Sequence, residues 1–274
     1  MNEGKNIYTS WREQGVKKWS MTPFRPYFYV PVNETVTSYK PSKYLKREFE
    51  YEEGNFVNLD GQPLKKVYVE TSYDIRKAKD LFHKTYEADV PYHFRYAVDN
   101  LDEMPEYEMR KWYWDMEWQQ GGEYHDCITT IVMYDNYDKK YYQWVWFPKE
   151  LESYLIDSPI DKDGEQIGRK YTFDNEKDMI ESFMTTMIVK DPDMLIAWFG
   201  NKFDLPHLLK RACSLGIDPR VISPIASVKG VKQTKSGFSF AYAEKGYSPI
   251  EQPIGGRITL SLDLAFERQW NDSQ

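Results

Sequence analysis

From residue 107 onward, hydrophobic and polar positions alternate in three runs that are separated by short, turn-rich segments. The runs are KWYWDMEW (111–118), DCITTIVMY (126–134) and KKYYQWVWF (139–147), and the segments QQGGEYH and DNYD join them. A period of two residues is typical of strands, and glycine or Asx turns favour hairpins. The pattern therefore predicts an antiparallel meander of three strands.

After the meander, the hydrophobic spacing changes to that of helices alternating with single strands. FDNEKDMIESFMTTMIVKD predicts a helix, capped by Asp174 or Asn175, whose apolar stripe consists of Met179, Ile180, Phe183, Met187 and Ile188. DMLIAWF predicts a buried strand, and DLPHLLKRACSLG predicts a helix with Pro206 in its first turn and Gly216 at its end. VKQTKSGFSFAYAEKG predicts a hairpin, and GGRITLSLDLAF predicts a strand that runs towards a helix.

The first hundred residues contain short strand-like pieces, PYFYVPV, FVNLD and KKVYVET, and one helical stretch over 72–86. Ser72 is the expected cap of that helix, and its apolar stripe is Ile75, Ala78, Leu81 and Phe82. Residues 97–106 are polar and contain a proline, which is typical of a junction. We therefore expect a β-rich N-terminal domain over 1–103 and a second domain over 104–274.

The order of the predicted elements in the second domain indicates an α/β (α+β mixed sheet) fold. Three strands in a row, followed by helix, strand, helix and strand, describe a mixed sheet with helices packed against it. This order is compatible with a ribonuclease H-like layout.

Composition and charge narrow the classes of function. The chain of 274 residues has a net charge of −7 and no apolar run long enough to span a bilayer, so we expect no membrane role. The N-terminus lacks an export signal, and the two distant cysteines are typical of free thiols, which favours an intracellular, reducing location. Residues 210–236 reverse the global sign with six basic side chains against Asp218, forming either a solvated face or a phosphate-binding track.

Three acidic side chains are candidates for chemistry. Asp115 and Glu117 lie two residues apart on one predicted strand, so they project from the same face, opposite Trp114, Met116 and Trp118. That face could simply be solvated. Asp204 precedes a helix, where an N-cap is the alternative role.

Together, these three acids at a strand and an adjoining helix entrance are typical of two-metal phosphodiester hydrolysis. Mg²⁺ prefers oxygen ligands, and two such ions stabilise the attacking and leaving oxygens. The four histidines of the chain show no spacing typical of metal ligands.

On these motifs the chain resembles the family B DNA polymerases, specifically their N-terminal domain followed by the 3'-5' exonuclease domain. KTYEADVPYHFRYAVDN is similar to the segment between those two domains. WDME matches the first exonuclease motif, FDLPHL is similar to the second, and GGRITLSLDLAFER is similar to the strand and helix start that follow. The order and the separations of these segments make the resemblance specific.

The resemblance implies that Asp115, Glu117 and Asp204 are catalytic and bind two Mg²⁺ or Mn²⁺ ions. The substrate it implies is single-stranded or primer-template DNA, whose 3' end is trimmed during proofreading. DNA contacts are expected from Phe203, Asn201, Lys229, Lys232 and Lys235, the lysines lying on or beside the predicted hairpin.

Two departures from the family pattern matter. Phe199 stands where the second motif usually has an asparagine, with Asn201 nearby. The third motif, a tyrosine followed by a catalytic aspartate, does not occur before Gln274, so the exonuclease domain is expected to be incomplete at its C-terminal end. Weak or absent activity of the chain alone is then expected, with the remainder supplied by residues beyond 274 or by a second polypeptide that carries the polymerase domain. The alternatives are a non-catalytic DNA-binding or docking subunit of a split polymerase, and a ribonuclease H-like nuclease that acts on RNA.

Overall fold

The computed structural model describes residues 5–37, 49–103, 106–148, 167–241 and 252–271. The chain divides into two compact units, Met1–Tyr107 and Glu108–Gln274, called here the first and second units. The predicted boundary lay between residues 103 and 104. Assignment of the first unit to a polymerase N-terminal domain stays a prediction.

The first unit begins with a hairpin that the hydrophobic pattern did not predict. Strands β1 (Asn6–Glu13) and β2 (Val16–Pro23) pair antiparallel. Both residues of the turn, Gln14 and Gly15, have positive φ angles, of 52° and 79°. Two-residue hairpin turns with positive φ match the twist of the strands, so the Gln-Gly pair was a usable signal. The strands are mostly polar on both faces, which hides the usual alternation.

The remaining strands of the first unit form a three-stranded antiparallel sheet. They are β3 (Tyr27–Pro31), β4 (Glu50–Val57) and β5 (Pro63–Tyr68), in the order β3-β5-β4. Two of the predicted strand-like pieces coincide with β3 and β5, whereas FVNLD overlaps only the end of β4. Phe28, Val30 and Val67 are buried against the helical segment that follows.

The helix predicted over 72–86 is shorter and less regular than expected. A 3₁₀ turn (Ser72–Asp74), α1 (Ile75–Ala78) and a second 3₁₀ turn (Lys79–Leu81) replace it. The predicted cap at Ser72 is wrong, because Thr71 precedes the first turn and donates its N–H and its hydroxyl to the Asp74 carboxylate at 3.0 and 2.7 Å. The predicted apolar stripe is buried. A further helix, α2 (Tyr92–Asn100), was not predicted; it contains no buried residue and so lacks a clear apolar stripe.

The second unit contains eight strands within its described residues. They are β6 (Lys111–Trp118), β7 (Ile128–Asp135), β8 (Lys140–Val145), β9 (Gly168–Thr172), β10 (Met194–Ala197), β11 (Val231–Thr234), β12 (Gly237–Phe240) and β13 (Ile258–Ser261). Six of them form one sheet in the order β13-β10-β6-β7-β8-β9. The first three strands in this order are parallel, β6-β7-β8 is the predicted antiparallel meander, and β9 runs parallel to β8.

Strand β9 was not predicted, because GRKYT has no hydrophobic alternation. Gly168 permits its close approach to β8, since a Cβ there would lie 2.5 Å from the carbonyl oxygen of Tyr141. The predicted hairpin is present as β11 and β12. Its predicted extension over 242–246 lies outside the described residues.

The helices of the second unit are α3 (Glu176–Lys190), α4 (Leu205–Ser214) and α5 (Leu262–Asn271). Asn175 caps α3 by accepting a hydrogen bond from the Asp178 N–H at 2.9 Å. The predicted stripe of α3 is correct except at Ile188, which is 46% exposed, whereas Met184 is buried. Ile188 follows Ile180 by eight positions, so its side chain lies outside the part of the helix surface that the sheet covers.

The core of the second unit lies between one face of the sheet and the helices α3 and α4. Trp112, Trp114 and Trp144 surround Phe183, with ring centroids between 5.2 and 6.0 Å from it. This mixed sheet with helices on it confirms the predicted α/β class and is consistent with a ribonuclease H-like exonuclease domain. Among the described residues, no helix combines the length and apolar content required to cross a bilayer.

Candidate active site

Strand β6 sorts its side chains as the alternation predicts. Trp112, Trp114 and Met116 are buried in the core, whereas Asp115 and Glu117 are exposed on the opposite face. Across the sheet, Asp115 pairs with Val132 and Glu117 with Thr130 in the antiparallel register. The two carboxylates therefore lie on one face of the central strand, as expected from their spacing.

Asp204 occupies the last position of a π-helical turn, Gly200–Asp204, which connects β10 to α4. Its backbone is already helical (φ −59°, ψ −55°), and its side chain makes no capping hydrogen bond. The N-cap alternative for Asp204 is therefore wrong. Single π-helical turns are frequent at functional sites because they redirect side chains. Asp204 is only 5% exposed.

The three acids act on one another electrostatically. The pKa of Asp204 is raised to about 7, first by burial and then by the negative charges of Asp115 and Glu117, with a smaller effect of Asp263. A carboxylate whose charged form is disfavoured both by burial and by like charges is typical of functional sites. The charges of Asp115 and Glu117 on β6 thus act on Asp204 at the entrance of α4, so the three predicted catalytic residues share one electrostatic field.

The three acids match divalent metal ions in donor chemistry but not in their present arrangement. Within the residues that the structure describes, no group of three or more His, Cys, Asp or Glu side chains lies close enough together to hold one ion. The donor set consists of three carboxylates, which are the hard oxygen ligands that Mg²⁺ and Mn²⁺ prefer. The residues therefore have the right donor atoms for such ions, but their side chains do not converge closely enough to hold one ion.

A second pair of charges fixes the π-helical turn. Lys202 lies 2.9 Å from a carboxylate oxygen of Asp263, which is 5% exposed, and the Ser261 hydroxyl donates to the same carboxylate at 2.6 Å. Burial acts to raise the pKa of Asp263, but the hydrogen bonds from Ser261 and Lys202 outweigh it and lower that pKa. Ser261 also accepts from the Asn201 N–H at 3.3 Å. These contacts attach the turn that carries Asp204 to the start of α5.

Aromatic side chains surround the entrance of the site. Phe203 is 37% exposed and packs edge-on against Phe199, at 5.6 Å between ring centroids. Phe199, which replaces the asparagine of the family motif, in turn contacts Trp198. Asn201 is 7% exposed, so its amide is not available on the open surface beside Phe203.

On the exposed face of the sheet, a cavity of about 590 Å³ opens beside Asp115. Tyr113, Tyr134, Tyr141 and Trp198 supply its aromatic lining. The sheet register explains the tyrosines, since Tyr113 pairs with Tyr134 and Tyr134 with Tyr141 on neighbouring strands. Their ring centroids are 6.3 and 5.0 Å apart.

The predicted DNA-binding lysines lie on or beside the hairpin formed by β11 and β12. Lys232 is exposed on β11 and Lys235 is exposed in the turn after it, and Lys229, which is also exposed, donates its backbone N–H to the carbonyl of Pro253. The hairpin packs against α4 through Phe240, which contacts the hydrophobic core. A role of these lysines in binding stays a prediction.

Two ion pairs of the second unit were not predicted from the sequence. Glu176 and Arg211, 35 positions apart, form a buried ion pair in which the guanidinium Nε lies 2.9 Å from the carboxylate. Lys202 and Asp263 are 61 positions apart. No local pattern reveals the first pair, but Ser261 and Asp263 at the predicted strand-to-helix junction offered a signal for the second, because Ser-x-Asp is common where helices begin.

Comparisons with known proteins show similarity to DNA polymerases. Residues 149–251 match the family model "DNA polymerase family B, exonuclease domain", a range that contains Asp204 and the hairpin. The chain is similar to a DNA polymerase of Thermococcus litoralis, with 28% identity over 192 residues, which is 66% of this chain and 10% of that protein.

Further relatives show the same pattern. A DNA polymerase of Pyrococcus glycovorans is 24% identical over 216 residues, covering 71% of this chain and 25% of that protein. DNA polymerase 1 of Pyrococcus abyssi is 26% identical over an equal span. The chain thus spans a tenth to a quarter of the length of these curated relatives. The resemblance to family B DNA polymerases is confirmed as a similarity, since residues 149–251, within the second unit, match the exonuclease domain of that family.

Proposed function

We propose that the second unit is a 3'-5' exodeoxyribonuclease module that removes nucleotides from the 3' end of single-stranded DNA, as in proofreading during DNA replication. The observation that carries this proposal is the shared field of Asp115, Glu117 and Asp204 within a family B exonuclease domain. Two Mg²⁺ or Mn²⁺ ions held by these three residues would supply the activation of the attacking water and the stabilisation of the leaving oxygen.

The surrounding residues bind and orient the substrate. Phe199 and Phe203 offer exposed rings beside Asp204 on which unpaired bases can stack. A paired end keeps its bases in the duplex stack, so stacking on these rings favours frayed ends. Lys232 and Lys235, which are exposed on the hairpin, would contact the phosphates of a longer strand.

A nuclease assay tests this proposal. A 5'-labelled single-stranded DNA incubated with Mn²⁺ and a large amount of the protein should yield a ladder that shortens from the 3' end. Asp115→Asn and Asp204→Asn should remove the ladder, because each eliminates a charged metal ligand, and an RNA of the same sequence should be trimmed more slowly. Trimming by both variants at the rate of the wild type would contradict the proposal. Faster trimming of the RNA than of the DNA would favour a ribonuclease.

A second candidate function is a DNA-binding or docking module without nuclease activity. The specific observation in its favour is that the three acids, within the described part of the chain, are not gathered closely enough to hold one ion. In that case the protein binds single-stranded DNA equally well with Mn²⁺ or with a chelator, and the wild type shows no ladder. The same assay, repeated with a partner polypeptide that carries a polymerase domain, separates docking from catalysis.

A further inference from the structure

A cavity of about 630 Å³ lies at the outer edge of the sheet, beside β13 and the first turns of α5. Asn201, Gln252, Thr259 and Arg268 supply its polar lining, and Leu260, Leu264 and Ala265 supply an apolar wall. None of the steps attributed above to Asp115, Glu117 and Asp204 uses this cavity.

One buried polar group of the lining lacks a hydrogen-bond partner within the described residues. Thr259 is 4% exposed, and its hydroxyl has no hydrogen-bond partner in the described structure. Asn201, which is 7% exposed, also lines the cavity. A buried hydroxyl without a partner costs free energy that a hydrogen-bonding ligand would recover.

The edge of β13 beside the cavity is already satisfied. The side chain of Gln252 donates to the Thr259 carbonyl at 3.1 Å and accepts from the Thr259 N–H at 3.0 Å. A peptide strand could not add to the sheet at this position, because Gln252 occupies the backbone groups that such a strand would need. The Thr259 hydroxyl is therefore left for a ligand that does not pair with the backbone.

The charge of the cavity favours an anion. Arg268 is exposed, and the described residues place no acid within ion-pair distance of it. The buried acid nearest in sequence, Asp263, is paired with Lys202 at 2.9 Å. A guanidinium presents several N–H donors in one plane and matches the oxygens of a phosphate group.

We propose that this cavity binds the phosphate group of a nucleotide, with Arg268, Thr259 and Asn201 as donors and the apolar wall against the sugar or base. The inference rests on the proposed nuclease function for the source of the phosphate, which is either the backbone of the DNA strand or the nucleoside monophosphate that trimming releases. A volume of about 630 Å³ is within the range of ligand pockets for molecules of this size.

Binding measurements on the full chain with a chelator present test the proposal without any hydrolysis. Thymidine 5'-monophosphate, thymidine and a short labelled oligothymidylate are titrated separately. Arg268→Gln should weaken binding of the phosphate-bearing probes by about tenfold, since it removes a charged donor set. Thr259→Val should weaken it by roughly threefold, and Thr259→Ser, which keeps the hydroxyl, should restore it.

Two control variants and a comparison of the monophosphate with the oligonucleotide complete the experiment. Arg169→Gln on the exposed side of β9 and Thr130→Val on β7 should change affinity less than about twofold. Binding of the monophosphate identifies a product pocket, and binding of the oligonucleotide alone identifies a backbone contact; thymidine should not bind. Equal affinity of wild type, Arg268→Gln and Thr259→Val for both phosphate probes would overturn the proposal. Arg268-dependent binding without any trimming would instead show that the proposed nuclease function fails while this site stands.

Discussion

Two buried carboxylates of the second unit have opposite surroundings. Glu176 and Asp204 are both 5% exposed. Glu176 accepts a hydrogen bond from the Ile128 N–H at 2.8 Å and is paired with the Arg211 guanidinium. Asp204 has the acids Asp115 and Glu117 as its electrostatic neighbours, and its pKa is raised to about 7.

The difference separates a structural acid from a chemical one. The region around Glu176 satisfies its charge and joins the start of α3 to α4 and β7. The region around Asp204 leaves negative charge uncompensated, which lowers the stability of the unit but creates affinity for cations. Burial alone does not distinguish the two acids; the sign of the neighbouring charges does.

Breaking the ion pair of Glu176 with Arg211 should have the largest effect on stability. We expect Glu176→Gln and Arg211→Met each to lower the free energy of unfolding by about 3–5 kcal/mol, because each leaves a buried partner uncompensated. Urea denaturation of the second unit within the full chain measures this change. The double variant should lose less than the sum of the two single changes, and additive losses would show that the pair does not interact.

Neutralising Asp204 should change the free energy of unfolding in the opposite direction. Because the folded-state pKa of Asp204 lies above its unfolded value, the native state retains a proton that the unfolded state releases, and stability falls as pH rises from about 4 to about 7. With a chelator at pH 8, Asp204→Asn should therefore stabilise the protein, by up to about 4 kcal/mol. Equal stability of the variant and the wild type at pH 8 would contradict the shared field.

Divalent cations should relieve the same repulsion. At a Mn²⁺ concentration about a hundredfold above the dissociation constant, the wild type should gain about 2.7 kcal/mol of stability at pH 8. Asp204→Asn, Asp115→Asn and Glu117→Gln should each lose most of this gain, whereas Asp174→Asn, a change outside the cluster, should keep it. Thermal unfolding with Mn²⁺ and with a chelator provides the comparison.

The smallest expected effect concerns His207, on the same helix as Asp204. Burial lowers its pKa, its ring stacks on Trp118 and its Nε2 donates to the Asp126 carbonyl at 2.9 Å. The unfolded state therefore binds a proton that the folded state resists, so this contribution to stability is lost as pH falls below about 6.5. His207→Phe keeps the stack and should cost about 1 kcal/mol at pH 8. Because the contribution of Asp204 runs in the opposite direction between pH 5 and 7, removing that of His207 should make stability fall more steeply with rising pH, and an unchanged slope would exclude His207.

Much of the fold could be predicted because local patterns specify it. The alternation in β6 to β8, the capped stripe of α3 and the glycine turn between β11 and β12 are each visible in consecutive residues. Strand β9 was missed because GRKYT has no hydrophobic alternation. Helix α2, which buries none of its residues, was also missed. The helix over 72–86 was overextended, since its apolar stripe continues to Phe82 although the backbone there is already extended (φ −117°, ψ 149°).

The candidate site was predictable in its residues more than in its arrangement. The face shared by Asp115 and Glu117 follows from strand geometry alone. The π-helical turn that carries Asp204, and the pairing of Lys202 with Asp263 that fixes it, depend on contacts between residues distant in sequence. The only local signal for these contacts is the Ser-x-Asp sequence of residues 261–263, and the ion pair of Glu176 with Arg211 leaves none.

The central claim is that Asp115, Glu117 and Asp204 form one site for divalent cations. A crystal structure of the protein soaked in Mn²⁺, with anomalous diffraction to locate the ions, tests it most directly. We expect anomalous peaks at about 2.1 Å from carboxylate oxygens of these three residues, the distance typical of small divalent cations. An absence of peaks between the three side chains at saturating Mn²⁺ would contradict the account.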